Sequence, residues 1–262
     1  MKTIKTIAII CAMAALSLAC SRDIASDSPV SATFTVDIPA TKAMSDGALA
    51  TELSVRVFDA NHNYLYEQTA SRGENGWSVT LKLVPGTYSF SFWACSRTSD
   101  AFSFDGAYMT LSYLLMDMNS GAEDAFWASI ADLEITSKFE RGVTLKRPFA
   151  FLRVASDGFI NESLEGASSA FTITGAVCTR LNLITGVADE AVRSAAYKAA
   201  PVTDETIGRH AIVAAGYALV PEEGLTAAKV DYTVTLQDGR EVSGTANNVP
   251  LARNYSTTLK DY

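Results

Sequence analysis

The stretch WSVTLKLVPGTYSFSFWAC, residues 77–95, constrains the fold more than any other part of the chain. Val79, Leu81 and Leu83 alternate with Ser78, Thr80 and Lys82; Pro85-Gly86 turns the chain, and Tyr88, Phe90 and Phe92 then alternate with Ser89 and Ser91. A period of two sends successive side chains to opposite faces, so these arms are half-buried strands joined as a β-hairpin with one apolar face. The same phase puts Trp93 and Cys95 on the outer face, where a loop has to cover them. The pattern recurs at residues 33–38 (TFTVDI), at Leu53, Val55 and Val57 before the turn DANHN, and at residues 229–246. There Val230, Tyr232, Val234 and Leu236 face inward, and Asp238-Gly239 makes the hairpin turn. Strands with one apolar face must bury it against a second sheet, which predicts an all-β sandwich architecture. Only residues 107–118 and 189–200 admit short helices between strands.

The chain is 48% hydrophobic, enough for more than one core. The charged stretch TSKFERG, residues 136–142, marks the boundary between two halves. Beyond it, Val143, Leu145, Phe149, Phe151, Arg153 and Ala155 share one parity, with Pro148 breaking the ladder as at an edge strand or bulge. Residues 169–178 and 210–221 supply further strands, so the second half has a complete set of its own. The expected organisation is two tandem β-sandwich domains, residues 32–140 and 141–262.

The N-terminus carries a different signal. Lys2 and Lys5 precede an apolar run ending at Leu18, and polar Ser21, Arg22 and Asp23 follow too soon for a membrane span of about 20 apolar residues. Leu16-Ser17-Leu18-Ala19 before Cys20 resembles the bacterial lipobox, in which the peptide is cut before a cysteine that receives diacylglycerol. Residues 1–19 are thus expected to be a lipoprotein signal peptide, with cleavage between Ala19 and Cys20 and lipid on Cys20. One acyl chain holds a protein only reversibly, and two or more make a stable anchor. Residues 20–31, rich in Ser, Asp and Ala, suit a flexible tether. Asp23 and Asp27 fit the acidic pattern associated with surface export of such lipoproteins in Bacteroidota.

The chemistry of the remaining residues excludes several classes. Net charge is −8, and removing residues 1–19, with two lysines and no acid, takes it to −10. Such a chain without a basic cluster is a poor partner for nucleic acid. Of four cysteines, Cys11 leaves with the signal and Cys20 is acylated. Cys95 and Cys178 remain, as a disulfide in an oxidising compartment or as two free thiols. The two histidines, His62 in a turn and His210 at a strand start, form no nucleophile-base arrangement. Asp59, Asn61 and Asn63 are spaced like calcium ligands but lack the Gly and distal Glu of that loop, so turn chemistry accounts for them. No catalytic residue, metal site or cofactor motif emerges, and an enzyme is not expected.

Five segments in order resemble the fimbrillin-like, or Mfa-like, lipoproteins of Bacteroidota: PGTYSFSFWA (85–94), EDAFWA (123–128), VTLKRPFAFLRV (143–154), AGYALVP (215–221) and NNVPLARNYSTTLK (247–260). The resemblance implies two transthyretin-like β-sandwich domains and a cell-surface, outer-membrane lipoprotein that serves as a structural, anchor or accessory component of type V pili. In those pili a protease removes a subunit's first strand, and a neighbour's strand fills the gap. Here that strand carries Phe34, Val36 and Ile38, and the following segment PATKAMSDG offers Lys42 where processed members often have arginine. Partners are then the outer membrane, through Cys20, and other subunits, through strand addition. The chain stops at Tyr262; if Tyr255, Thr257 and Leu259 complete the second sandwich, little remains to donate to a neighbour, which favours a receiving, terminating or non-polymerising member over a main stalk subunit. The competing reading is a non-polymerising surface lipoprotein that holds a glycan or host protein on rings such as Trp77, Trp93 and Trp127.

Overall fold

A computed structural model describes residues 28–39, 50–74, 76–96, 99–159 and 162–261. Along the chain run β1 (Val30–Asp37), β2 (Glu52–Phe58), β3 (Tyr64–Ser71), β4 (Trp77–Leu83), β5 (Gly86–Cys95), β6 (Phe102–Asp105) and β7 (Tyr108–Leu111). A single 3-10 turn, Tyr113–Leu115, precedes β8 (Phe126–Ile135) and β9 (Phe139–Thr144). There follow β10 (Phe149–Ser156), β11 (Ser168–Asn182), β12 (Ala188–Ala196), β13 (Ala200–Pro201), β14 (Thr206–Ile207), β15 (His210–Leu219), β16 (Leu225–Thr235), β17 (Glu241–Leu251) and β18 (Ser256–Asp261). The fold is all-β. Of the two segments that admitted helices, residues 107–118 form β7 and the 3-10 turn, and residues 189–200 form most of β12 and reach β13.

The strands make four sheets, ordered β4-β1-β9, β3-β2-β5-β8, β14-β15-β10-β18 and β17-β16-β11-β7-β6, with β12 and β13 also on β11. The first two enclose one hydrophobic cluster, to which Phe34, Val36, Leu53, Val55, Val57, Trp77, Val79, Leu81, Phe90 and Phe92 belong. These are the inward positions of the alternating runs. The other two enclose a second cluster containing Leu152, Val154, Ile173, Val177, Val213, Val230, Tyr232, Val234 and Leu236.

The structure departs from the sequence pattern where the two clusters meet. Ser89 and Ser91 were expected on a polar outer face, yet both are buried. The β6-β7 hairpin pairs through β7 with β11. It also covers that face of β5, where Trp93 lies edge-on to Phe102, Phe104 and Phe149 at 5.2, 5.6 and 6.1 Å. The serine hydroxyls stay satisfied: Ser89 Oγ accepts from the Asp132 amide at 3.0 Å and Ser91 Oγ from the Trp127 indole at 3.2 Å. Trp93 therefore belongs to the second cluster although its own strand lines the first. The expected division after residue 140 falls inside β9, which pairs with β1, and Val143 and Leu145 belong to the first cluster. Parity also changes beyond Phe149, which is buried in the second cluster as its parity predicts: Leu152 and Val154 are buried there, while half-buried Phe151 stacks on Tyr217 at 4.7 Å. One phase therefore does not carry from Val143 to Ala155.

A buried ion pair stands at this junction. Arg147 Nε and Nη2 donate to the two carboxylate oxygens of Asp124 at 2.5 and 2.7 Å, with side chains 1% and 2% exposed. The guanidinium also sits 4.4 Å from the Phe126 ring centroid. The pair joins the segment before β8 to the segment before β10.

Candidate functional site

β1 lies between two partners. It runs antiparallel to β4, with Ala32 opposite Leu81, Phe34 opposite Val79 and Val36 opposite Trp77. It runs parallel to β9, with Phe34 opposite Arg141 and Val36 opposite Val143. The alternation selects the faces: Ala32, Phe34 and Val36 are fully buried, whereas Thr35 and Asp37 are exposed. Phe34 lies 4.9 Å from Phe90, 5.1 Å from Phe92 and 6.0 Å from Phe139, between rings from both sheets. Ile38 follows the end of β1 and is half-buried against the same cluster. Ala32 shares the buried face although no bulky side chain marks it in the sequence.

Polar contacts outside the cluster fix the register. Thr33 and Thr80 hydroxyls meet at 3.0 Å, Lys82 Nζ donates to Ser31 Oγ at 2.6 Å, and Thr144 Oγ1 donates to Asp37 Oδ1 at 3.1 Å. Gly76, with φ +94°, allows the turn before β4 to approach β1, because a Cβ there would stand 2.5 Å from the Val36 carbonyl oxygen. Removing β1 would leave two rows of unpaired backbone groups, on β4 and β9, beside a slot lined by aromatic side chains. Unpaired strand edges are templates for strand addition, and pockets for alternate side chains fix the register of what enters.

Of the other residues singled out in the sequence, Ala19, Cys20 and Lys42 lie outside the described residues. His62 Nε2 lies 3.0 Å from Asp132 Oδ1, linking the β2-β3 turn to β8, and His210 is buried at the start of β15. Asp59 accepts from the backbone amides of Asn61 and Asn63 at 2.8 and 2.9 Å and from Asn63 Nδ2 at 3.0 Å. Those bonds, the Asn63 side chain first, hold its carboxyl below the usual aspartate range. Trp77 and Trp93 are core residues.

Cys95 and Cys178 are free thiols. Burial pushes the Cys95 thiol up to about 11 and raises that of Cys178 as well. Since the thiolate is the nucleophile, only about a thousandth of Cys95 is reactive at pH 8. Iodoacetamide should label native Cys95 slowly at pH 8, faster as the pH climbs toward 11, and rapidly in urea. Mass spectrometry of the alkylated protein checks this, and complete labelling of the native protein at pH 8 within minutes would refute it.

A family model described as a family of unknown function (DUF6562) matches residues 25–262. No curated protein is similar to this sequence. Among solved structures, a candidate adhesin from Bacteroides ovatus superposes with a TM-score of 0.55 at 13% identity, covering 84% of this chain and 76% of that one. A candidate polysaccharide-binding protein from Bacteroides thetaiotaomicron gives 0.52 at 13% identity, with coverages of 81% and 78%. The fimbrial anchor protein Mfa2 from Porphyromonas gingivalis gives 0.51 at 12% identity, with coverages of 84% and 82%. At these identities the likeness concerns the fold.

Proposed function

The chain belongs to the DUF6562 family, and from that premise we propose that it is a fimbrillin-like surface lipoprotein of type V-like pili, built as two sandwich units. Lipid on Cys20 tethers it to the outer membrane, residues 20–31 lift the folded part away, and β1 occupies the slot through which subunits join. Cleavage near Lys42 frees β1, and a neighbour's strand takes its place between β4 and β9. A copy that keeps β1 and its lipid serves as an anchor. The observation that carries this reading is the position of β1: it is central in its sheet and seated by a fully buried phenylalanine, yet it is the first strand of the described chain. An interior position held by the leading strand of the described residues is the arrangement that strand exchange needs. The fold shared with the fimbrial anchor protein Mfa2 supports the assignment.

The test is the N-terminus of the protein recovered from its cells. A diacylated Cys20 marks an anchor or precursor, and a start at Ala43 marks an exchanged subunit; either outcome supports the reading. A mature chain that carries no lipid and begins elsewhere overturns it.

A further inference from the structure

We propose that the cleft between Trp127 and the turn carrying Arg253, Asn254 and Tyr255 binds a saccharide. The cleft has a volume of about 550 Å³, within the range of small-ligand sites and at the kind of junction they favour. It opens where β8 meets the segment before β10 and the turn before β18.

Its walls are held rigidly. The indole N–H of Trp127 donates to Ser91 Oγ at 3.2 Å and to the Leu183 carbonyl at 3.1 Å, and the Trp127 backbone pairs in both directions with Lys146 at 2.8 and 3.0 Å. Arg253 Nε donates to the Val220 carbonyl at 2.8 Å and Nη1 to the Gly186 carbonyl at 2.7 Å. The Asn254 amide donates to the Phe149 carbonyl at 2.8 Å, and the Phe151 amide donates to the Tyr255 carbonyl at 2.9 Å. On this clamped turn Tyr255 is nevertheless 70% exposed, more than any other large apolar side chain among the described residues. The backbone that carries Tyr255 is fixed and its ring is left bare, which fits a ligand that stacks on the ring, since a rigid backbone removes part of the ordering cost of binding.

The lining chooses the ligand class. Two aromatic rings meet the flat C–H face of a pyranose, and the planar groups of Asn254 and Glu222 suit its vicinal hydroxyls. Arg147 is paired with Asp124, and Lys146 and Arg253 outnumber Glu222, so the cleft keeps about one positive charge and suits a saccharide that carries a carboxylate better than a basic peptide.

Trp77 and Trp93 are buried, so of the three tryptophans Trp127 alone reports on the cleft through its emission. Uncleaved protein would be titrated with hexose, hexosamine and uronic-acid oligosaccharides, which makes the outcome independent of strand exchange. The expected result is a saturable change in emission with at least one class. Tyr255→Ala, and separately Asn254→Gly, which keeps the φ of +60° without strain, should weaken binding about tenfold or more. Tyr64→Ala, on the edge strand β3, should leave it unchanged. No response to any class, or equal weakening by all three variants, would overturn the proposal.

Discussion

Phe34→Ala lowers the free energy of unfolding by about 3–5 kcal/mol, the range for a large aromatic removed from a core. The ring is fully buried and has three aromatic neighbours drawn from two facing sheets, with centroids between 4.9 and 6.0 Å. Those neighbours sit on β5 and β9, whose backbones are fixed by ladders to β2, β8 and β1, so the cavity cannot close by a small shift. Against a total stability of about 5–15 kcal/mol for a typical domain, this loss is large. Thr35→Ala, one residue along on the exposed face, should change stability by less than about 0.5 kcal/mol. Urea denaturation of the two variants makes the comparison. Equal midpoints would mean that β1 contributes little to the first cluster, and the plug account would fail with it.

Asp124→Ala is expected to cost about 3–5 kcal/mol for a different reason. It leaves Arg147, 1% exposed, as a buried cation without its bidentate acceptor. The double variant Asp124→Leu with Arg147→Met should recover most of the loss, because replacing a whole buried pair by apolar groups of similar size is often close to neutral. Thermal unfolding of the single and double variants separates the penalty of removing one member of the pair from the worth of the pair itself. If the double variant falls as far as the single, the pair holds the junction by its own bonds.

The alternating runs disclosed the strands that build the first cluster because each has one polar face and one apolar face, and period two is enough to read both. β1 and β4 follow that rule, and so does β16 in the second cluster. β5 escaped it on one side: Ser89 and Ser91 look like a wet face, yet both bond to β8, and the cover over neighbouring Trp93 comes from β6, a four-residue strand too short to show a period. The parallel partner β9 was hidden for a related reason, since FERGVT carries its apolar residues among charges and pairs with a strand about a hundred residues earlier. Long-range pairing leaves no local mark. Asp124 and Arg147 both lie in segments that carry the family resemblance, yet nothing in their spacing announces a salt bridge. Tyr255 was expected to help complete the second sandwich with Thr257 and Leu259; Leu259 packs against the second cluster, but Tyr255 sits in the turn before β18 and stays exposed.

The most direct test of displaceability is limited digestion of the purified protein with a lysine-specific protease, followed by electrophoresis in SDS without boiling. If β1 is a plug, cutting after Lys42 releases a fragment containing residues 30–37, and the emptied chain takes up an added synthetic peptide of residues 28–42 as an SDS-resistant complex. A cleaved protein that keeps that fragment in place, or that takes up no peptide, would contradict the account.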